Sequence, residues 1–157
     1  LLREYDTETN GGMGGFLGVT HMALSPDGKT LYHTSETGAH IYGHDLVGDR
    51  RLGAVYTRDD PPPLVFGIAS LPNGDLLVAG GNVVRRITPG GGVVGQYDLP
   101  EARGWAVPVL RPDSRHFWAL DFFGGKLACV DTEGVSVPQV KELGLAKCLT
   151  GIAEVPA

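Results

Sequence analysis

Apolar residues in this chain come in short runs of roughly four to eight, cut by clusters of Pro, Gly, Asp and Asn, which is the pattern of many short strands joined by tight turns. The runs recur. His21 to Glu36 reads HMALSPDGKTLYHTSE, Gly67 to Asn82 reads GIASLPNGDLLVAGGN, and Val107 to Phe122 reads VPVLRPDSRHFWALDF. Each is an apolar stretch, then Pro followed by Asp or Asn and Gly or Ser, then a second apolar stretch. A fourth copy opens at Gly151 as GIAEVPA. The aligned prolines, Pro26, Pro72, Pro112 and Pro156, are spaced by 46, 40 and 44 residues, and repeats of that length are the signature of propeller blades.

Each period divides into four strands at its turns. Pro presets φ for a tight turn and the following Asp-Gly or Asn-Gly tolerates what comes next, so Pro26-Asp27-Gly28 and Pro72-Asn73-Gly74 join a first strand to a second. Leu31-Tyr32, Leu76 to Val78 and Phe117-Trp118 fill the second strands, apolar on both faces as a strand between neighbouring blades must be. The third strands are expected at His40 to Leu46, Val83 to Ile87 and Lys126 to Val130, and the fourth at Leu52 to Thr57, Val93 to Leu99 and Gln139 to Leu143. The pattern calls for no helix. The expected fold is all-β: a β-propeller fragment with whole blades at 16–59, 60–101 and 102–147. Residues 1–15 supply the last strand of a preceding blade and its loop, and 148–157 the first strand of a following one. Three blades leave half a channel and open edges. The parent is expected to have six or seven blades, its remaining blades being partners of this piece, with oligomeric closure as the alternative.

Composition narrows the partners. The 157 residues are 42% hydrophobic and 20% charged, enough for one domain with a real core. A net charge of -5, with no run of Lys or Arg longer than two, lacks the footprint that phosphate binding needs and excludes nucleic acid. No apolar run reaches the roughly 18 residues of a membrane span. Cys129 and Cys148 show neither CxxC nor zinc-ligand spacing and read as separate thiols.

The Pro-Asp-Gly turns, the Leu31 to Glu36 stretch LYHTSE and the segment DLLVAGGNVVRRITPGGGVVGQYDLPEARGWAVPVLRPD resemble the NHL, YVTN and senescence-marker-protein (gluconolactonase-like) group of bacterial propellers. The Trp-Asp signature of WD repeats is absent. The resemblance implies a secreted, periplasmic or cell-surface location. It also implies a test for lactonase chemistry, because gluconolactonase-like propellers hold a divalent metal with Asn, Asp and Glu at the channel end of the first strands. The matching positions here are Thr20, Phe66, Ala106 and Thr150, none of them a carboxylate or an amide.

Departures from the repeat are where function becomes arguable. Blade 1 carries His21, His33, His40 and His44, and hairpin pairing is expected to set His21 opposite His33 and His33 near Tyr42. A convergent His21, His33 and His40 set would suit zinc or acid/base chemistry; the alternative is histidines bonded to backbone between blades. The second-strand ends place Ser35, Glu36, Asn82 and Asp121 on one rim, able to bind calcium, a glycan or a peptide, or simply to cap their own turns. Arg103 beside Trp105, in a fourth-to-first loop on the same face, suits stacking or clamping of a ligand. Asp59-Asp60 reads as solvated. Arg85-Arg86 reads as facing two directions on a third strand rather than as a basic patch. No nucleophile elbow, Walker loop or dinucleotide fingerprint is present, so no catalytic residue and no required cofactor is assigned. The expected function is a binding or scaffolding propeller that takes a small molecule, glycan or protein on its loop face. The alternative is a metal-dependent hydrolase or lyase of the lactonase type.

Overall fold

The computed structural model describes residues 19–35, 38–60, 65–99, 104–145, 147 and 151–153. Twelve strands fill three four-stranded antiparallel sheets. Blade 1 holds β1 (Val19–Leu24), β2 (Thr30–Ser35), β3 (His40–Asp45) and β4 (Arg50–Thr57). Blade 2 holds β5 (Gly67–Ser70), β6 (Leu76–Gly80), β7 (Val83–Ile87) and β8 (Val93–Asp98). Blade 3 holds β9 (Trp105–Leu110), β10 (His116–Asp121), β11 (Lys126–Asp131) and β12 (Gln139–Glu142). Within each sheet the strands lie in sequence order, and the first strands β1, β5 and β9 pack beside one another. This is blade stacking in a β-propeller, first strands innermost and fourth strands outermost. The strands expected within 1–15 and 148–157 lie outside the described residues, apart from 151–153, which belong to no strand.

Two apolar layers hold the blades together. Tyr32, Ile41 and Tyr56 of blade 1 pack against Val65, Ile68, Leu76, Val78 and Ile87 of blade 2. Leu77, Ala79, Val84 and Tyr97 of blade 2 pack against Phe117, Ala119, Ala128 and Val130 of blade 3. Strand β6 is buried at every position because Leu76 and Val78 point to one neighbour and Leu77 and Ala79 to the other. The outermost strand of blade 3, β12, is exposed along its whole length. Gly91, in the β7–β8 turn, lies against blade 1 so closely that an added Cβ would sit 2.0 Å from the Val55 carbonyl oxygen, and its φ is +86°. Only glycine meets both demands.

Turn chemistry sets the register. In blade 1 the Ser25 N–H bonds the Thr30 carbonyl, enclosing a loop at 26–29, and Gly28 takes φ 71°. Blade 3 repeats this loop, with the Arg111 N–H on the His116 carbonyl and Ser114 at φ 56°. Blade 2 is tighter, its Leu71 N–H bonding the Asp75 carbonyl. Asp45 and Asp131 close β3 and β11 with carboxylates that accept backbone N–H groups from the next turn: Val47 and Gly48 in one case, Glu133 in the other.

The blade 1 loop corrects one expectation. His21 pairs with Thr34, and Met22 stands opposite His33. The loop holds one more residue than a pairing of His21 with His33 requires, and a one-residue change of register sends a side chain to the other face of the sheet.

Candidate functional site

The histidines divide between the two faces of blade 1. Thr34 is fully buried and donates its hydroxyl to the Phe66 carbonyl of blade 2 at 3.1 Å, so its partner His21 shares that inward face. Burial lowers the His21 imidazole below its ordinary value, with the Phe66 carbonyl acting in the opposite sense. Nδ1 of His21 is buried without a hydrogen-bond partner. His33, Tyr42 and His40 occupy the other face, with the Tyr42 ring 5.5 Å from His33 and 5.6 Å from His40. His40 Nδ1 meets Thr57 Oγ1 at 2.9 Å, and His44 Nε2 lies 3.3 Å from Asp49 Oδ1. His21, His33 and His40 are therefore not brought to one point. Among the described residues no three His, Cys, Asp or Glu side chains are placed to hold a metal ion.

The rim residues differ from one another. Asp121 ends β10 fully buried, and its Oδ1 accepts the Gly124 N–H at 2.9 Å, so this carboxylate caps its own turn. Asn82 is exposed in the two-residue turn between β6 and β7, where Gly81 takes φ 58°. Glu36 and Arg103 lie outside the described residues, as does the Trp105 side chain; the backbone of Trp105 begins β9 opposite Asp121.

Asp60 corrects a second expectation, for it is not simply solvated. Its carboxylate accepts Arg58 Nη2 at 3.0 Å and both terminal nitrogens of Arg85, at 2.8 and 2.9 Å. Desolvation pushes the Asp60 carboxyl up, but the bonds from Arg85 and Arg58 outweigh it and hold the group below its ordinary value. Arg58, 4% exposed, also donates Nη1 to the Gly80 carbonyl, and Arg85 donates to the Tyr56 hydroxyl at 3.0 Å. Arg86 turns the other way. Its Nε bonds Asp75 at 2.7 Å, and its Nη1 reaches Glu133 at 3.1 Å and the Thr132 carbonyl at 3.4 Å in blade 3. The pair Arg85-Arg86 faces two directions, as expected from strand alternation.

Among the described residues the loop face also presents an aromatic ring. Phe123, in the β10–β11 turn, is 42% exposed, and Phe122 meets it edge-on at 5.1 Å. Gly104 lies under the Phe123 ring, where a Cβ would come within 2.7 Å of ring carbon Cδ2 and 3.8 Å of the Gly81 carbonyl oxygen. Three backbone segments thus meet at one spot: the Gly81-Asn82 turn, Gly104 and the Phe123 turn. Sequence reasoning passed over Phe123, and the signal was present, since two adjacent aromatics before Gly124-Gly125 stand in a turn that other blades make with polar residues. At the opposite end of the blades two open clefts lie between the hairpin turns. One, of about 350 Å³, is lined by Pro26, Asp27, Tyr32, Pro72 and Pro89. The other, of about 440 Å³, is lined by Leu71, Asn73, Arg86, Ser114 and Glu133.

No protein-family model matches the sequence, and no curated protein matches it. Solved structures do. Virginiamycin B lyase from Staphylococcus aureus superimposes with a TM-score of 0.63 and 22% identity over 78% of this chain. The WD40 repeats of RRP9 give 0.67 and 12% over 82%, and hydrazine synthase of Kuenenia stuttgartiensis gives 0.62 and 18% over 79%. The chain spans 40%, 40% and 35% of those three chains respectively. At such identities the likeness is one of fold, and with the three stacked sheets it makes this chain part of a β-propeller.

Proposed function

We propose that the chain supplies three blades of a larger propeller that binds a protein or small ligand on its loop face, rather than performing catalysis. The observation that carries this is Phe123, an exposed aromatic ring on a turn whose backbone is fixed against Gly104 and beside the Gly81-Asn82 turn. A large ring held on rigid backbone loses little entropy on contact and supplies the apolar anchor that binding surfaces concentrate on. Asn82, exposed in the neighbouring turn, carries an amide with a donor and an acceptor for orientation. Arg103 and Trp105 flank Gly104 in sequence and are proposed as further ligand contacts. The lineage proposed is the NHL, YVTN and gluconolactonase-like group, supported by its Pro-Asp-Gly turns.

The test is a calorimetric screen of oligosaccharides and short peptides against the chain and its Phe123→Ala variant, with a lactone-hydrolysis assay in calcium and in zinc on the same samples. Phe123→Ala is expected to keep its melting temperature and to weaken binding of any hit about tenfold or more, in keeping with anchors worth over 1 kcal/mol. Hits bound equally by both proteins, or metal-dependent turnover, would overturn the proposal.

A further inference from the structure

The outer strands finish their sheet edges in different ways. β4 pairs with β3 through two register shifts and opens with the exposed Arg50 and Arg51, and β8 pairs with β7 through a shift that skips Val94. Bulges of this kind, and charges of one sign, keep an edge from recruiting another strand. β12 has neither. It runs from Gln139 to Glu142 against β11 without a shift, it is exposed at every position, and its charges, Lys141 and Glu142, are of opposite sign.

The backbone of β12 shows which groups face out. The Leu143 N–H bonds the Gly125 carbonyl at 2.9 Å, and hydrogen-bonded pairs alternate along antiparallel strands, so Leu143, Lys141 and Gln139 bond inward to β11. Val140 and Glu142 therefore turn their N–H and C=O groups outward. Pro138, next on that side, has no N–H to leave unpaired. The side chains add a symmetry. Val137 and Leu143 stand three residues to either side of Val140, and Val135 and Leu145 stand five. Val135, Val137 and Leu145 are 79%, 86% and 52% exposed. A single exposed valine is ordinary, whereas a set placed evenly about an outward-facing backbone marks an interaction site.

We propose that β12 pairs antiparallel with β12 of a second copy of this chain about a two-fold axis at Val140, joining two four-stranded blades into one sheet. The register follows from the side chains. An axis at Lys141 sets Lys141 against itself, and an axis at Glu142 does the same for Glu142; like charges directly opposite are unfavourable. An axis at Gln139 sets Val140 against Pro138, which returns no N–H. The axis at Val140 sets valine on valine, Gln139 opposite Lys141 of the second copy, and Val137 opposite its Leu143. This contact uses the outer rim. The faces of blades 1 and 3 that closing a ring would join stay uncovered by it.

The experiment begins with amide hydrogen exchange of the unsubstituted 157-residue chain, read by NMR in dilute and in concentrated solution. The Val140 N–H is expected to exchange about fivefold or more slowly in the concentrated sample, with the Val94 N–H of β8 unchanged. Exchange at Val140 that ignores concentration would overturn the proposal, and so would equal slowing at Val94, the mark of unspecific edge association. Disulfide trapping then tests the register in a chain carrying Cys129→Ser and Cys148→Ser. Val140→Cys brings two cysteines to about 5.5 Å between Cα atoms, within the roughly 4.4–6.8 Å that a disulfide spans. It is expected to form a covalent dimer about tenfold faster than Lys141→Cys. Gln139→Lys should slow that reaction and added Lys141→Glu restore it, while Met22→Glu leaves it unchanged. Equal rates for Val140→Cys and Lys141→Cys, or a rate that follows Met22→Glu and ignores Gln139→Lys, would refute pairing at Val140.

Discussion

Gly28 and Ser114 occupy the same place in the four-residue loops of blades 1 and 3, and both have positive φ. For serine the left-handed region costs about 1 kcal/mol that glycine does not incur. Ser114→Gly is therefore expected to stabilise the chain by about 0.5–1 kcal/mol, measured by urea unfolding; a lower midpoint would contradict it. One residue earlier, Asp113 lies at about 2, below its ordinary 3.8, held by the backbone N–H of His116, then by the His116 ring and the Arg115 N–H. The folded value is depressed, so this stabilisation is present above the unfolded value and is lost as pH falls toward about 2. Stability should thus decline between roughly pH 4 and pH 2, and Asp113→Asn should make that decline shallower. An unaltered slope in the variant would remove the turn from the explanation.

At the scale of strands, β7 is the joint of the assembly. Arg86 is 20% exposed and Asp75 14%, so their 2.7 Å contact is sheltered, while Glu133 at 66% is wet. Arg86→Met is expected to cost about 1.5–3 kcal/mol, the range for hydrogen bonds to charged groups. A double-mutant cycle with Asp75→Asn should show coupling, and one with Glu133→Gln little. Equal coupling to both partners would show that shelter does not govern these ion pairs. Such strands were legible in advance because Pro, Gly and Asp mark their ends: Val83–Ile87 was expected from its flanking turns and is found there. Register was less legible. Whether His21 meets His33 or Thr34 depends on a bond between Ser25 and Thr30 that a Pro-Asp-Gly sequence permits without requiring. The site was legible only in part for a related reason. Asp121 and Asp60 are both acidic residues beside turns, and only the fold shows one capping Gly124 and the other held between Arg58, just after β4, and Arg85 of β7. Phe123 escaped notice because an apolar residue in a turn carries no titratable signal.

The three described blades end in two unlike outer faces. One presents the exposed Met22 and Leu24. The other carries the Trp118 ring under Arg111, whose guanidinium carbon is 5.1 Å from the ring centroid. Exposed apolar side chains on the inner strand of a sheet invite partners, so sedimentation velocity is expected to show concentration-dependent association that Met22→Glu reduces. A monomeric mass at every concentration would contradict this. The paired arginines of β7 also bear on how such a protein could change over time. Repeats are often treated as interchangeable tiles, gained or lost by copying a segment of the gene. Blade 2 is not such a tile, because Arg85 requires Tyr56 upstream and Arg86 requires the turn at Thr132-Glu133 downstream. A duplicate inserted beside it would meet strangers on one side, and a single residue added before Arg85 would exchange the directions of both. Blades 1 to 3 are thus fixed in order by two adjacent codons, and recombination that respects this order has to move them together.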